Sequence, residues 1–245
     1  MSIAFCPGRK KAYRIPVRLL AILAAATLPG AALAGSIQID PVKIEINADR
    51  KTGSVRIRNT DAKPVTMRGF ARSWSQVNGE DVHEDAADVI VSPPVFTIPA
   101  SGSQLVRVGL RSAMRPGSYR LILEEMPEAS PNGGVQVALR LDMPLYAMEK
   151  PGAADDLVWT AWQQADKNWV VEATNKGDGY VRVEPEEASS ASGMMFDASR
   201  ALGTVLPGGS KKWLVGSATI IDRARFEQIV RARDGNDRVQ LASTH

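Results

Sequence analysis

One cysteine, Cys6, and two histidines, His83 and His245, are all that this 245-residue sequence offers of the side chains that crosslink, bind soft metals or exchange protons near neutrality. With a single thiol no disulfide can form within the chain, so the fold must rest on buried apolar surface. With two histidines, one of them the last residue, a Ser/His/Asp triad or a histidine-rich metal site lacks raw material. Asp81, Glu84, Asp85 and Asp88 crowd around His83, but their spacing fits no cation-binding loop and reads as a solvated hairpin. Lys176-Gly177-Asp178-Gly179 lacks the strand, loop and helix that make a phosphate cradle, and reads as a hairpin turn. No catalytic residue, metal or cofactor is expected. A long apolar run is missing too: Leu19 to Ala26 falls well short of the roughly 20 residues that cross a bilayer.

Acidic residues are absent from the first 34 positions, where Arg9, Lys10, Lys11, Arg14 and Arg18 precede that short apolar run and Ala32-Leu33-Ala34 follows Pro29-Gly30. This is the pattern of a secretion signal cut after Ala34, which leaves no membrane anchor. The leader holds five of the 30 basic residues and none of the 27 acidic ones, so the remaining 211 residues carry 25 against 27, a net charge of −2. The overall pI of about 9.1 therefore mostly reflects the leader and points to neither nucleic acid nor an anionic membrane as a partner.

Beyond the leader, short alternating segments are divided by Gly, Pro, Asn and Asp, and the fold class is all-β. Seven strands are expected at 36–46, 52–59, 65–77, 89–98, 103–110, 118–126 and 135–147, enough for one sandwich spanning 35–148. Asn78-Gly79 and Pro131-Asn132-Gly133-Gly134 are among the turn signals between them. A polar linker, 149–156, leads to a second, smaller sandwich over 157–245, with strands at 157–163, 169–175, 180–183 and 211–215. Asp222 to Ala232 fits helix or strand equally. Trp159, Trp162 and Trp169 read as core or inter-domain packing, with a sugar platform as the alternative.

Val135, Val137, Leu139, Leu141, Met143 and Leu145 occupy every odd position of one segment and put six apolar side chains on one face. Pro144 withholds a backbone donor, which suits a sheet edge. An exposed apolar edge is usually blunted, yet it can also lend a strand to a partner that lacks one. Burial of four or five such side chains, at about 1.5 to 3 kcal/mol each, would supply on the order of 10 kcal/mol before association costs. The alternative is that they fill the chain's own core.

Several stretches in order resemble the periplasmic chaperones of chaperone/usher pilus systems, the PapD-like family: Ser92-Pro93-Pro94-Val95-Phe96, PASGSQLVRV from Pro99, YRLILEEMP from Tyr119 and LRLDMPLYA from Leu139. Asp40 to Ile44 and Val171 to Asn175 extend the match, and the Tyr119 and Met143 motifs are most similar to the archaic, sigma-type branch. The resemblance implies two immunoglobulin-like sandwiches in an L shape with a cleft between them. It further implies a periplasmic chaperone that holds pilus subunits by donor-strand complementation and passes them to an outer-membrane usher, without enzymatic activity. In the cleft, basic residues anchor the subunit's C-terminal carboxylate. Lys43 falls where many members have arginine, Pro144 stands at the usual lysine, and Arg120 resembles the arginine of the archaic branch. Lys43 and Arg120 are thus the expected anchor, with Arg107 a further candidate. Internal pairing of Lys43 with Glu45 or Asp40, and of Arg120 with Glu124 or Glu125, is the alternative. A secreted sandwich of ligand-binding or pilin-like kind, and pairing of free chains through their edges, also stay open.

Overall fold

The computed structural model describes residues 37–111, 116–127, 137–149, 151–196, 203–216 and 219–233. Two sheets enclose a first core. One has the order β1 (Ile37–Asp40), β3 (Thr52–Asn59), β8 (Ser103–Leu110), β6 (Val89–Ser92). The other runs β2 (Ile44–Ile46), β10 (Arg140–Ala147), β9 (Gly117–Glu125), β4 (Val65–Val77), β5 (Glu80–Asp85), with β7 (Val95–Ile98) also paired to β4. Period-2 alternation turns Val55, Ile57, Val106 and Val108 of one sheet toward Met67, Leu121, Leu123, Met143 and Leu145 of the other, all buried. Each such side chain contributes about 1.5–3 kcal/mol by leaving water.

Proline decides where two expected strands divide. The stretch 36–46 breaks at Pro41, so that β1 pairs with β3 while β2 crosses to the other sheet and runs parallel to β10. Likewise 89–98 breaks at Pro93 and Pro94, with β6 on β8 and β7 on β4. Proline has no N–H to continue a ladder, and the chain changes sheets there. At the β4–β5 hairpin, Asn78 and Gly79 take φ of 54° and 84°, the left-handed pair that a two-residue turn requires. Buried Asn59 is satisfied by donating to the carbonyls of Lys63 at 2.7 Å and Pro99 at 3.2 Å.

The second core is closed differently. β11 (Leu157–Gln163), β12 (Trp169–Asn175) and β15 (Ser210–Gly216) form an antiparallel sheet, and β13 (Val181–Val183) pairs with β14 (Gly203–Val205). The segment from Asp222 is helical: α2 (Arg223–Arg233) buries Phe226, Ile229 and Val230, and Phe226 meets Trp169 edge to face at 4.9 Å. A further helix, α1 (Pro185–Ser192), was not expected. It has proline in its first turn, and the Glu187 carboxylate accepts from the Glu184 N–H at 3.4 Å. Only Ala188 and Ser192 of α1 are buried, too little apolar pattern to mark a helix in sequence. The Lys176–Gly179 turn joins β12 to β13 in separate sheets, so it is a crossover and not a hairpin. Trp159 and Trp169 pack against this core, whereas Lys212 lies 5.8 Å over the Trp162 ring.

A third cluster joins the two cores: Trp74, Tyr146 and Met148 from the first side, Tyr180 and Leu206 from the second. Gln76 donates to the Thr204 carbonyl and accepts from the Leu206 N–H, both at 2.9 Å. Lys212 donates its backbone N–H to the Gly79 carbonyl and its ammonium to that of Asn78. Among the described residues no helix is long and apolar enough to cross a membrane.

Candidate functional site

β10 begins at Arg140, five residues later than expected, and its odd face is graded. Leu145 and Met143 are 0% and 2% exposed within the first core, and Leu141 is half-buried against it. Leu139 is half-buried before the strand begins, and Val137 is 89% exposed. Val135 lies outside the described residues. Met143 and Leu145 therefore fill the chain's own sandwich and are not on offer to a partner in this state, a correction to the uniform six-residue face. Met143 and Leu145 stand opposite Leu121 and Tyr119 of β9, inside the sandwich, while Leu141, although opposite the buried Leu123, lies farther from the part of β10 that β2 flanks and is only partly covered.

The edge is graded in the same way. Leu145 to Ala147 of β10 lie between β9 and β2, but from Arg140 to Pro144 only β9 pairs with the strand among the described residues. Pro144 is the last residue before pairing with β2 starts. Leu139 accepts from the Glu125 N–H at 2.8 Å and donates to the Glu125 carboxylate at 3.1 Å, which ties the approach to this open edge.

Beside the covered end of β10 lies a cavity of about 840 Å³ whose walls include Lys43, Trp74, Arg120, Pro144, Tyr146 and Tyr180. The two expected anchor cations thus share one site, although they are 77 positions apart. Lys43 donates to Glu45 and to the Tyr180 hydroxyl, each at 2.8 Å, and Tyr180 donates in turn to the same Glu45 carboxylate. The bond to Glu45, then that to Tyr180, raises the Lys43 pKa above the usual lysine value. The same two partners, Lys43 first, hold the Glu45 carboxyl below its ordinary range. Burial, with Glu45 beside it, pushes the Tyr180 phenol up.

Arg120 pairs with neither Glu124 nor Glu125. Its Nε donates to Asp142 at 2.5 Å and its Nη2 to the Asp142 carbonyl at 3.2 Å, while Arg68 and Arg140 take Glu124. The guanidinium also stacks 4.9 Å over the Trp74 ring. Arg107 is not brought to this cavity. It is exposed on β8, in the opposite sheet, between Ser54 and Ser92, because alternation puts its neighbours Val106 and Val108 in the core.

Several site residues carried no sequence signal. Tyr146 and Tyr180 stack at 3.7 Å, nearly parallel, and Trp74 meets Tyr146 at 6.0 Å, so an aromatic ladder links the Arg120 end to the Lys43 end. Asp81, read from sequence as part of a solvated hairpin, accepts from the Trp74 indole at 3.0 Å and from Gln76 at 2.8 Å, and pairs with Lys211 of β15. Burial opposes its ionisation, but these partners, Lys211 foremost, hold its carboxyl below the ordinary value. Sheet register and packing between the two cores bring these groups together; their spacing along the chain is irregular.

The family described as pili and flagellar-assembly chaperone, PapD N-terminal domain, matches residues 36–148. No curated protein matches the chain in sequence. Among solved structures, similarity extends to the chaperone–tip subunit pre-assembly complex of CsuC and CsuE from archaic chaperone-usher Csu pili of Acinetobacter baumannii. That match is 22% identical with a TM-score of 0.61, over 75% of this chain and 89% of that one. The YadV chaperone matches at 17% identity and 0.51, over 75% and 88% of the two chains. A chain of the Salmonella enterica SafA pilin complex with the SafB chaperone matches at 14% and 0.51, over 74% and 84%. These likenesses lie in the fold, which is all-β and shared along nearly the full length of those chains.

Proposed function

We propose that this chain is a PapD-like pilus-assembly chaperone, a reading supported by the match of residues 36–148 to that family's N-terminal domain, and that it captures pilus subunits by donor-strand complementation in the periplasm and delivers them to an outer-membrane usher. The observation that carries the proposal is the graded face of β10. A row of apolar side chains that begins in the chain's own core runs out of it, through Leu141 and Leu139 to Val137, beside a backbone edge that no described strand covers from Arg140 to Pro144. A subunit missing one strand can pair with that edge and continue the core outward. Lys43 and Arg120, at the covered end of the same strand, then fix the register by holding the subunit's terminal carboxylate.

In this reading residues 1–34 direct secretion and are removed, residues 35–148 and 157–245 are the two domains, and no substrate is turned over. The structures in which CsuE and SafA accompany their chaperones support subunits as partners. Co-expression with a pilus subunit tests it: soluble subunit should rise and co-purify one to one. Lys43→Ala together with Arg120→Ala should abolish capture while circular dichroism stays native. An unchanged subunit yield beside the unaltered chain rejects the proposal. Capture that survives the double substitution favours a binding protein with another anchor.

A further inference from the structure

We infer that Asp142 is a built-in competitor for the carboxylate site: it occupies the Arg120 guanidinium when no subunit is present and is displaced by the incoming carboxylate, while Trp74 holds the guanidinium in place throughout. The inference rests on the reading of Arg120 as a carboxylate anchor. A guanidinium binds carboxylates along its edge, in plane, and aromatic rings across its face. Both surfaces of Arg120 are in use. Its edge faces Asp142, with Nε on the carboxylate at 2.5 Å and Nη2 on the same residue's carbonyl at 3.2 Å. Its face lies on Trp74 at 4.9 Å. The bond that an incoming carboxylate must replace is therefore already made to a carboxylate of the chain itself.

The two contacts are independent. Trp74 is 8% exposed and its indole N–H is held by Asp81, which Gln76 and Lys211 fix in turn, so the stacking surface stays when the edge partner changes. Asp142 reaches Arg120 from the neighbouring strand, from the part of β10 whose other edge no described strand covers, and its side chain is 41% exposed, so on displacement it returns to water at little cost. The Lys43 end differs. There Glu45 is gripped by both Lys43 and Tyr180, which also bond to each other, and has two bonds to lose. Exchange accordingly takes place at Arg120. Competition of this kind makes the empty site indifferent to polar groups weaker than a full carboxylate, and lets it admit a chain terminus in preference to an internal carbonyl.

A titration of the isotope-labelled chain tests this, read by NMR from the Arg120 Nε–H and Trp74 indole signals. The probes are an N-acetylated synthetic pentapeptide of alternating valine and threonine with a free C-terminal carboxylate, and the same peptide as its C-terminal amide. The unaltered chain should prefer the acid. Asp142→Asn should bind the acid about two- to fivefold more tightly, the range expected on removing an exposed ion pair that competes with the ligand, and should no longer hold off the amide as strongly. Asp142→Ala should behave alike. Weaker or equal binding of the acid by both variants, with the acid preference of the unaltered chain intact, would overturn the competitor role and make Asp142 a support for Arg120. Equal binding of acid and amide by the unaltered chain would instead reject the carboxylate anchor itself.

Discussion

The two cores of this molecule are closed by different means. In the first, two sheets face each other and each contributes alternate residues, so Val55 and Ile57 meet Leu121 and Leu123 across the gap. In the second, a three-stranded sheet is too small to close on a partner sheet of two short strands, and α2 supplies Phe226, Ile229 and Val230 to finish the packing. A β-core with enough strands needs only alternation. One with too few depends on a helix, whose loss leaves a hole that strands cannot fill.

The contrast can be broken most severely at that helix. Phe226→Ala should cost about 3–5 kcal/mol in urea unfolding, because a fully buried aromatic ring leaves Trp169 without its partner. In the first core Leu145→Ala should cost about 2–5 kcal/mol, and the strand register should survive it because β2 and β9 both grip that part of β10. Gly53→Ala is the sharper test of how tightly the first sandwich closes. An added Cβ would stand 2.3 Å from the Ile44 side chain, so β2 must shift; we expect a loss of about 1–3 kcal/mol and weaker protection of the β2 amides in hydrogen exchange.

Smaller effects separate the two ends of β10. Val137→Asp and Leu139→Asp should change stability by less than about 0.5–1 kcal/mol yet remove subunit capture, since the first is exposed and the second lies before the strand starts. Unfolding of either variant would assign these residues to the chain's own core. The smallest effect expected is in acid. Glu45 and Asp81 both have carboxyls held below their ordinary values of 4.5 and 3.8. A depressed folded pKa gives stability that is complete above the ordinary value and is lost as pH falls through the depressed one. The contacts joining the two cores should thus loosen below about pH 4.5, and Glu45→Gln with Asp81→Asn should flatten that dependence, as read from the pH profile of thermal unfolding.

Much of this was legible along the chain because strand alternation is local. The limits of β3, β8, β11 and β12 follow directly from their apolar periods and turn residues. Lys43 and Arg120 were legible as members of motifs, but their partners were not. Asp142, Tyr180 and Trp74 reach them through sheet register and through packing between the cores, and neither is encoded in any short spacing. The same holds for Arg107, which belongs to a convincing motif and yet faces solvent on the far sheet.

By itself, then, the sequence determined the all-β class, the limits of β3, β8, β11 and β12, and the odd apolar row that leads into β10, since period 2 dictates which residues share a face. The tertiary structure alone decided how far that row is buried. Full burial ends between Met143, 2% exposed, and Leu141, which is half-buried opposite Leu123, and only beyond that point can the same alternation serve a partner in place of the chain itself.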